Sequence, residues 1–166
     1  MRKVFSLLAV SALLATMLAA PAGAKPDARP FKATMYGEMS WIPTSECPGP
    51  VFTHSEAIGN ASHLGRTTLK GNHCTPAGTE YGPGEMTLVA ANGDQVHMAY
   101  HGVCPPWMDL PIGEVLTCTL EFEIVGGTGR FSRATGEGSG TASLIWLGIT
   151  EPKTDAWWSW TGTIGY

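Results

Sequence analysis

Charge is scarce in this sequence. Asp, Glu, Lys and Arg make up 14% of its 166 residues, against about a quarter in an ordinary soluble domain. The sign is acidic, with 10 basic and 14 acidic side chains. A nucleic-acid partner needs a basic face to neutralise phosphates, so no nucleic acid is expected. Helical periodicity is also missing: past residue 24 the apolar residues tend to recur every second position, the period of a strand. There is no CxxC pair, no GxSxG elbow, no phosphate-binding loop and no paired-carboxylate motif. Those absences remove the usual signatures of thiol redox, acyl transfer, nucleotide hydrolysis and glycoside cleavage. The GGTG run at residues 126–129 has no βαβ unit around it, so it is not a dinucleotide loop. Nothing calls for a cofactor.

Long apolar runs are confined to the N-terminus. Met1-Arg2-Lys3 is a short basic segment, residues 4–20 are rich in Leu and Ala, and Ala22-Gly23-Ala24 supplies the small-x-small pattern that signal peptidase accepts. The expectation is a signal peptide over residues 1–24, cleaved after Ala24, with residues 25–166 forming one domain in a secreted or periplasmic protein. No membrane span remains after that cleavage, and the loss of Arg2 and Lys3 makes the chain more acidic still. The cysteines agree with export, since Cys47, Cys74, Cys104 and Cys118 are even in number and all lie in the mature region. Three pairings are open. Cys104 and Cys118 flank a connection rich in proline (Pro105, Pro106, Pro111), which favours bridging them, with Cys47–Cys74 as the second disulfide. A zinc site built on His73-Cys74 lacks the paired ligand spacing such sites use, so no metal is expected.

What the mature region does contain is strands and turns. Residues 31–41, 51–58 and 62–70 read as the first three strands. Residues 85–102 read as a hairpin about Asn92-Gly93, a pair suited to a type I′ turn. Met86, Leu88 and Ala90 share one face of it, as do Val96, Met98 and Tyr100. Leu116, Cys118, Leu120, Phe122 and Ile124 alternate with Thr117, Thr119, Glu121 and Glu123, the pattern of a half-buried antiparallel strand. Residues 135–149 make a seventh strand with Gly136, Gly138 and Gly140 on one face, and residues 156–166 an eighth. Three glycines in a strand interior indicate a bend or a close backbone approach. Eight such strands argue for a closed antiparallel barrel, which leaves no exposed edge. A two-sheet sandwich is the alternative.

Residues 126–140, GGTGRFSRATGEGSG, resemble the GGTGxFxxAxGxxxG signature of dirigent proteins and of bacterial secreted proteins with an allene oxide cyclase-like barrel. GNASHLGRTTLKG at residues 59–71 is similar to the GNATHLGRFT segment of the bacterial group, and WTGTIGY at residues 160–166 to its closing strand. The resemblance implies an all-β, eight-stranded antiparallel barrel of calycin type. From the plant relatives it further implies trimers, hence a homo-oligomer, and reactions of small apolar molecules in the barrel cavity. The bacterial group lends no general biochemical role. Within the signature, Phe131 reads as a plug at the barrel end between two solvated arginines, Arg130 and Arg133.

Candidate functional residues come from histidines and tryptophans. Of His54, His63, His73, His97 and His101, the pair His97 and His101 lies about 13 Å apart if on a strand, too far to chelate one ion together. They read first as surface or rim residues. Should their face turn inward, Gln95, His97 and His101 would line a polar pocket. Six tryptophans are many for this length; Trp158 and Trp160 share a strand face and Trp157 opposes them, while Trp107 sits in the Pro-rich connection. Gln95, His97, His101, Trp107 and Trp158 are therefore the candidate ligand-binding residues, and no catalytic residue is assigned. The leading expectation is noncatalytic binding of a small apolar molecule or surface component. A cyclase- or isomerase-like enzyme and a structural or interaction protein are the alternatives.

Overall fold

The computed structural model describes residues 27–49, 51–76, 78–148 and 150–166. The expected signal peptide and its cleavage site lie outside the described residues, as does Ile149. Eight strands follow one another: β1 (Arg29–Pro43), β2 (Val51–Ala61), β3 (Gly65–Thr75), β4 (Glu80–Ala90), β5 (Gln95–Val103), β6 (Val115–Gly127), β7 (Thr135–Ile145) and β8 (Lys153–Gly165). Each pairs antiparallel with its neighbour in sequence, and β8 returns to pair with β1, closing the barrel. Side chains alternate inward and outward along β6, so that Leu116, Cys118, Leu120, Phe122 and Ile124 are buried while the residues between them are exposed. The outward set is largely polar, the reverse of the apolar band on a lipid-facing barrel. Among the described residues no helix is long and apolar enough to cross a membrane.

Strand limits differ from the sequence expectation where pairing overrides local composition. β3 begins at Gly65 because Ser62, His63 and Leu64 form the turn after β2, with His63 at φ 66° and Gly65 at φ 71°. At its other end β3 runs on to Thr75, held by β2 through pairs such as Thr53 with His73. The β4–β5 connection is not type I′. The Gly93 amide donates to the Ala90 carbonyl and the Ala90 amide to the Asp94 carbonyl, both at 2.9 Å, and only Gly93 has positive φ. That is a three-residue loop, a type I turn closed by a left-handed glycine.

The glycine ladder lies on the inner face of β7. Its missing side chains leave room for large rings from the flanking strands: a Cβ on Gly138 would sit 2.5 Å from Phe122 Cζ, and one on Gly140 would sit 2.4 Å from Trp160 Cδ1. The glycines thus serve close approach, which lets two aromatic rings enter a narrow barrel.

One end of the barrel is packed solid. A short 3-10 helix, Gly129–Phe131, packs against β5 and β6 there and carries the fully buried Phe131. The Arg130 guanidinium stacks 4.8 Å from the Phe131 ring centre, Tyr166 meets that ring edge-on at 4.7 Å, and Arg29 covers Tyr166. Both disulfides, Cys47–Cys74 and Cys104–Cys118, are at the opposite end. They staple the loops there to the strands below.

Candidate functional site

The interior at the disulfide end is not filled. A cavity of ≈ 70 Å³ lies there. Thr53, Ser55 and Gly71 on β2 and β3 and Ala142 on β7 are the small inward residues that leave this space.

Two unlike walls face each other across it. From β6, β7, β8 and β1 come Leu120, Leu144, Trp158, Trp160 and Met39, an apolar wall roofed by Trp41, Trp107 and Trp146. Trp146 holds this roof together, edge-on to Trp41 at 6.0 Å and to Trp107 at 5.2 Å. From β2 to β5 come hydroxyls, an imidazole and two phenols. Thr53 and Thr75 share a hydrogen bond of 2.5 Å, with Ser55 deeper on β2. His73 Nδ1 lies 2.7 Å from the Tyr100 hydroxyl, which donates to the Asn72 carbonyl at 3.2 Å. The Tyr81 hydroxyl donates to the Thr119 carbonyl at 3.1 Å, and its ring stacks on His73 at 4.8 Å.

Every titratable group on this wall is held uncharged. Burial lowers the His73 pKa from 6.5 to about 4, because the imidazolium would lose its hydration. Burial likewise raises Tyr81 and Tyr100 well above the ordinary phenol value, with the Tyr81 charge adding to the effect on Tyr100. No Asp, Glu, Lys or Arg lines the cavity among the described residues.

Of the candidates chosen from sequence, Trp107 and Trp158 line the cavity. Gln95, His97 and His101 do not. The inward positions of β5 are Val96, Met98, Tyr100 and Gly102, which turns the three polar residues outward. There His97 Nε2 meets Gln95 Oε1 at 3.1 Å, and the exposed His101 lies 3.6 Å from Glu121 across the β5–β6 pair. His73, Tyr81 and Tyr100 are the polar residues that do converge. For His73 and Tyr100 the signal in the sequence was parity alone: His73 is two residues beyond Gly71 and four beyond Leu69, on the inward set of β3. Tyr81 is out of phase with Met86, Leu88 and Ala90 and turns inward through the irregularity between Tyr81 and Gly84.

No family model matches the sequence, and no curated protein matches it. Among solved structures the chain is similar to a pterocarpan synthase dirigent protein, with a TM-score of 0.52 at 14% identity over 94% of this chain and 99% of that one. The chain has a dirigent-like barrel fold. At this identity the likeness is one of architecture, and the dirigent-like barrel takes its function from its own lining residues.

Proposed function

We propose that this protein is a secreted or periplasmic binding protein of the bacterial allene oxide cyclase-like group, which holds one small, mostly apolar molecule in the mouth half of its barrel. The observation that carries the reading is the cavity itself: one wall of tryptophan, leucine and methionine, one of uncharged hydrogen-bonding groups, both fixed in a rigid barrel. Trp107 and Trp158 are the ligand-contacting tryptophans. The two disulfides support an oxidising compartment. Binding without catalysis is favoured over a synthase role like that named for the pterocarpan synthase neighbour. A neutral His73 and two phenols that resist ionisation are poor proton donors and acceptors for chemistry at neutral pH. Trp157, Tyr36 and Ile58, which face each other across β8, β1 and β2 on the outer surface, support self-association.

Calorimetric titration with naphthalene tests the binding reading. The expected result is a one-to-one complex that Ala142→Phe, which fills the cavity from β7, abolishes. Naphthalene heats that are absent, or unchanged by that variant, overturn the reading. Native mass spectrometry of the protein taken from its own host's envelope identifies the natural occupant.

A further inference from the structure

The polar wall is one partner short. Tyr100 has a single hydroxyl proton and two neighbours, the Asn72 carbonyl at 3.2 Å and His73 Nδ1 at 2.7 Å. Both contacts are satisfied only if the hydroxyl donates to the carbonyl and accepts from Nδ1–H. That assignment places the imidazole proton on Nδ1 and leaves Nε2 with a bare lone pair. Among the described residues Nε2 has no hydrogen-bond partner, and it is not sealed off as the unpartnered Trp160 Nε1 is, so it is open to the cavity that its ring lines. The neighbouring Tyr81 phenol is committed to the Thr119 carbonyl, and Thr53 and Thr75 share a hydrogen bond with each other.

Resting on the reading of this cavity as a binding site, we infer that His73 Nε2 is the acceptor that selects the ligand, and that the cavity takes uncharged molecules presenting one hydroxyl or N–H donor on an apolar frame. A ligand lacking that donor leaves a buried acceptor unmet and desolvated, which is costlier than the bond itself is favourable. An ionised ligand fares worse still. It surrenders its hydration to a lining that holds no countercharge.

Three probes on one frame separate these effects by calorimetry at pH 7: indole, 1-methylindole and indole-3-carboxylate. Indole is expected to bind about tenfold more tightly than 1-methylindole, and the carboxylate at least about a hundredfold more weakly than indole. His73→Phe is expected to erase the preference of indole over 1-methylindole. Should that variant fail to fold, ¹⁵N NMR of the His73 ring in the native protein reads the same contact. The Nε2 resonance is expected to move from its unprotonated position with indole and to stay with 1-methylindole. Equal affinity for indole and its methyl derivative, or a His73 ring indifferent to both, overturns the inference while a one-to-one naphthalene complex keeps the cavity reading intact. Failure of every probe, naphthalene included, overturns the cavity reading and the inference with it.

Discussion

His73 ties the interior of this barrel to pH. In the unfolded chain its ring takes up a proton near 6.5, in the barrel only near 4. Between those values unfolding is accompanied by proton uptake, so stability rises with pH across that window. The contribution is fully present above pH 6.5, declines as the pH falls towards 4 and is lost below it, by roughly 3 kcal/mol in all. Urea unfolding at pH 7 and pH 4 checks this: His73→Phe is expected to show a smaller acid loss than the native protein. An identical loss in both assigns the acid sensitivity to other groups. Gly140 makes a second residue-scale test. Its Cβ would collide with the Trp160 ring and with the Ser159 carbonyl, so Gly140→Ala is expected to destabilise by roughly 1–3 kcal/mol through overpacking. Gly78, with open space around it and no positive φ, is the control. Gly78→Ala is expected to stay within about 0.5 kcal/mol in the same denaturant titration.

At the scale of elements, β5 and β3 show what could be read in the sequence and what could not. The phase of β5 was legible, since Val96, Met98 and Tyr100 form one apolar set and a strand has only two faces. That phase puts Gln95, His97 and His101 outside, whatever their chemistry. His73 and Tyr81 were harder because each lies past a stretch that reads locally as punctuation: Gly71-Asn72 on β3, Gly82-Pro83 on β4. Closure of the barrel carries both strands through these points, with β2 pairing β3 as far as Thr75 and β4 absorbing an irregularity between Tyr81 and Gly84. Local composition sees the breakers and not the partner strand that overrides them. The Pro-rich connection after β5 was legible as a disulfide-flanked loop, but its packing was not. Trp107 turns inward against Trp146 and becomes part of the roof. Trp107→Ala is therefore expected to weaken naphthalene binding by about tenfold or more, as the ligand loses a ring contact and the roof gains a hole. Unchanged affinity would place the ligand elsewhere in the cavity.

The whole molecule has two ends built on different principles. At the sealed end cohesion comes from packing: Phe31, Leu88, Val96, Ile124, Phe131 and Ile164 are all essentially inaccessible, clamped by the Arg130–Phe131–Tyr166 stack. At the mouth the core has been given up to the cavity, and covalent bonds take over. Cys47–Cys74 ties the β1–β2 loop to β3, and Cys104–Cys118 joins the ends of β5 and β6 beneath Trp107. Bridges closing loops of this length each limit the unfolded chain by about 3 kcal/mol. Reduction should therefore act unevenly. The mouth strands lose their staples, while the sealed end keeps its apolar contacts and its closed hydrogen-bond ladder. Hydrogen exchange in the presence of a reductant that breaks both disulfides is expected to speed amide exchange around Thr75, Val103 and Thr119, with Val96, Ile124 and Ile164 still protected. Naphthalene binding is expected to disappear under the same conditions, because the roof is held by the loops that have been released. A uniform loss of protection along all strands would mean that the two ends unfold as one unit. In that case the cavity would be supported by the barrel as a whole, not by its disulfides.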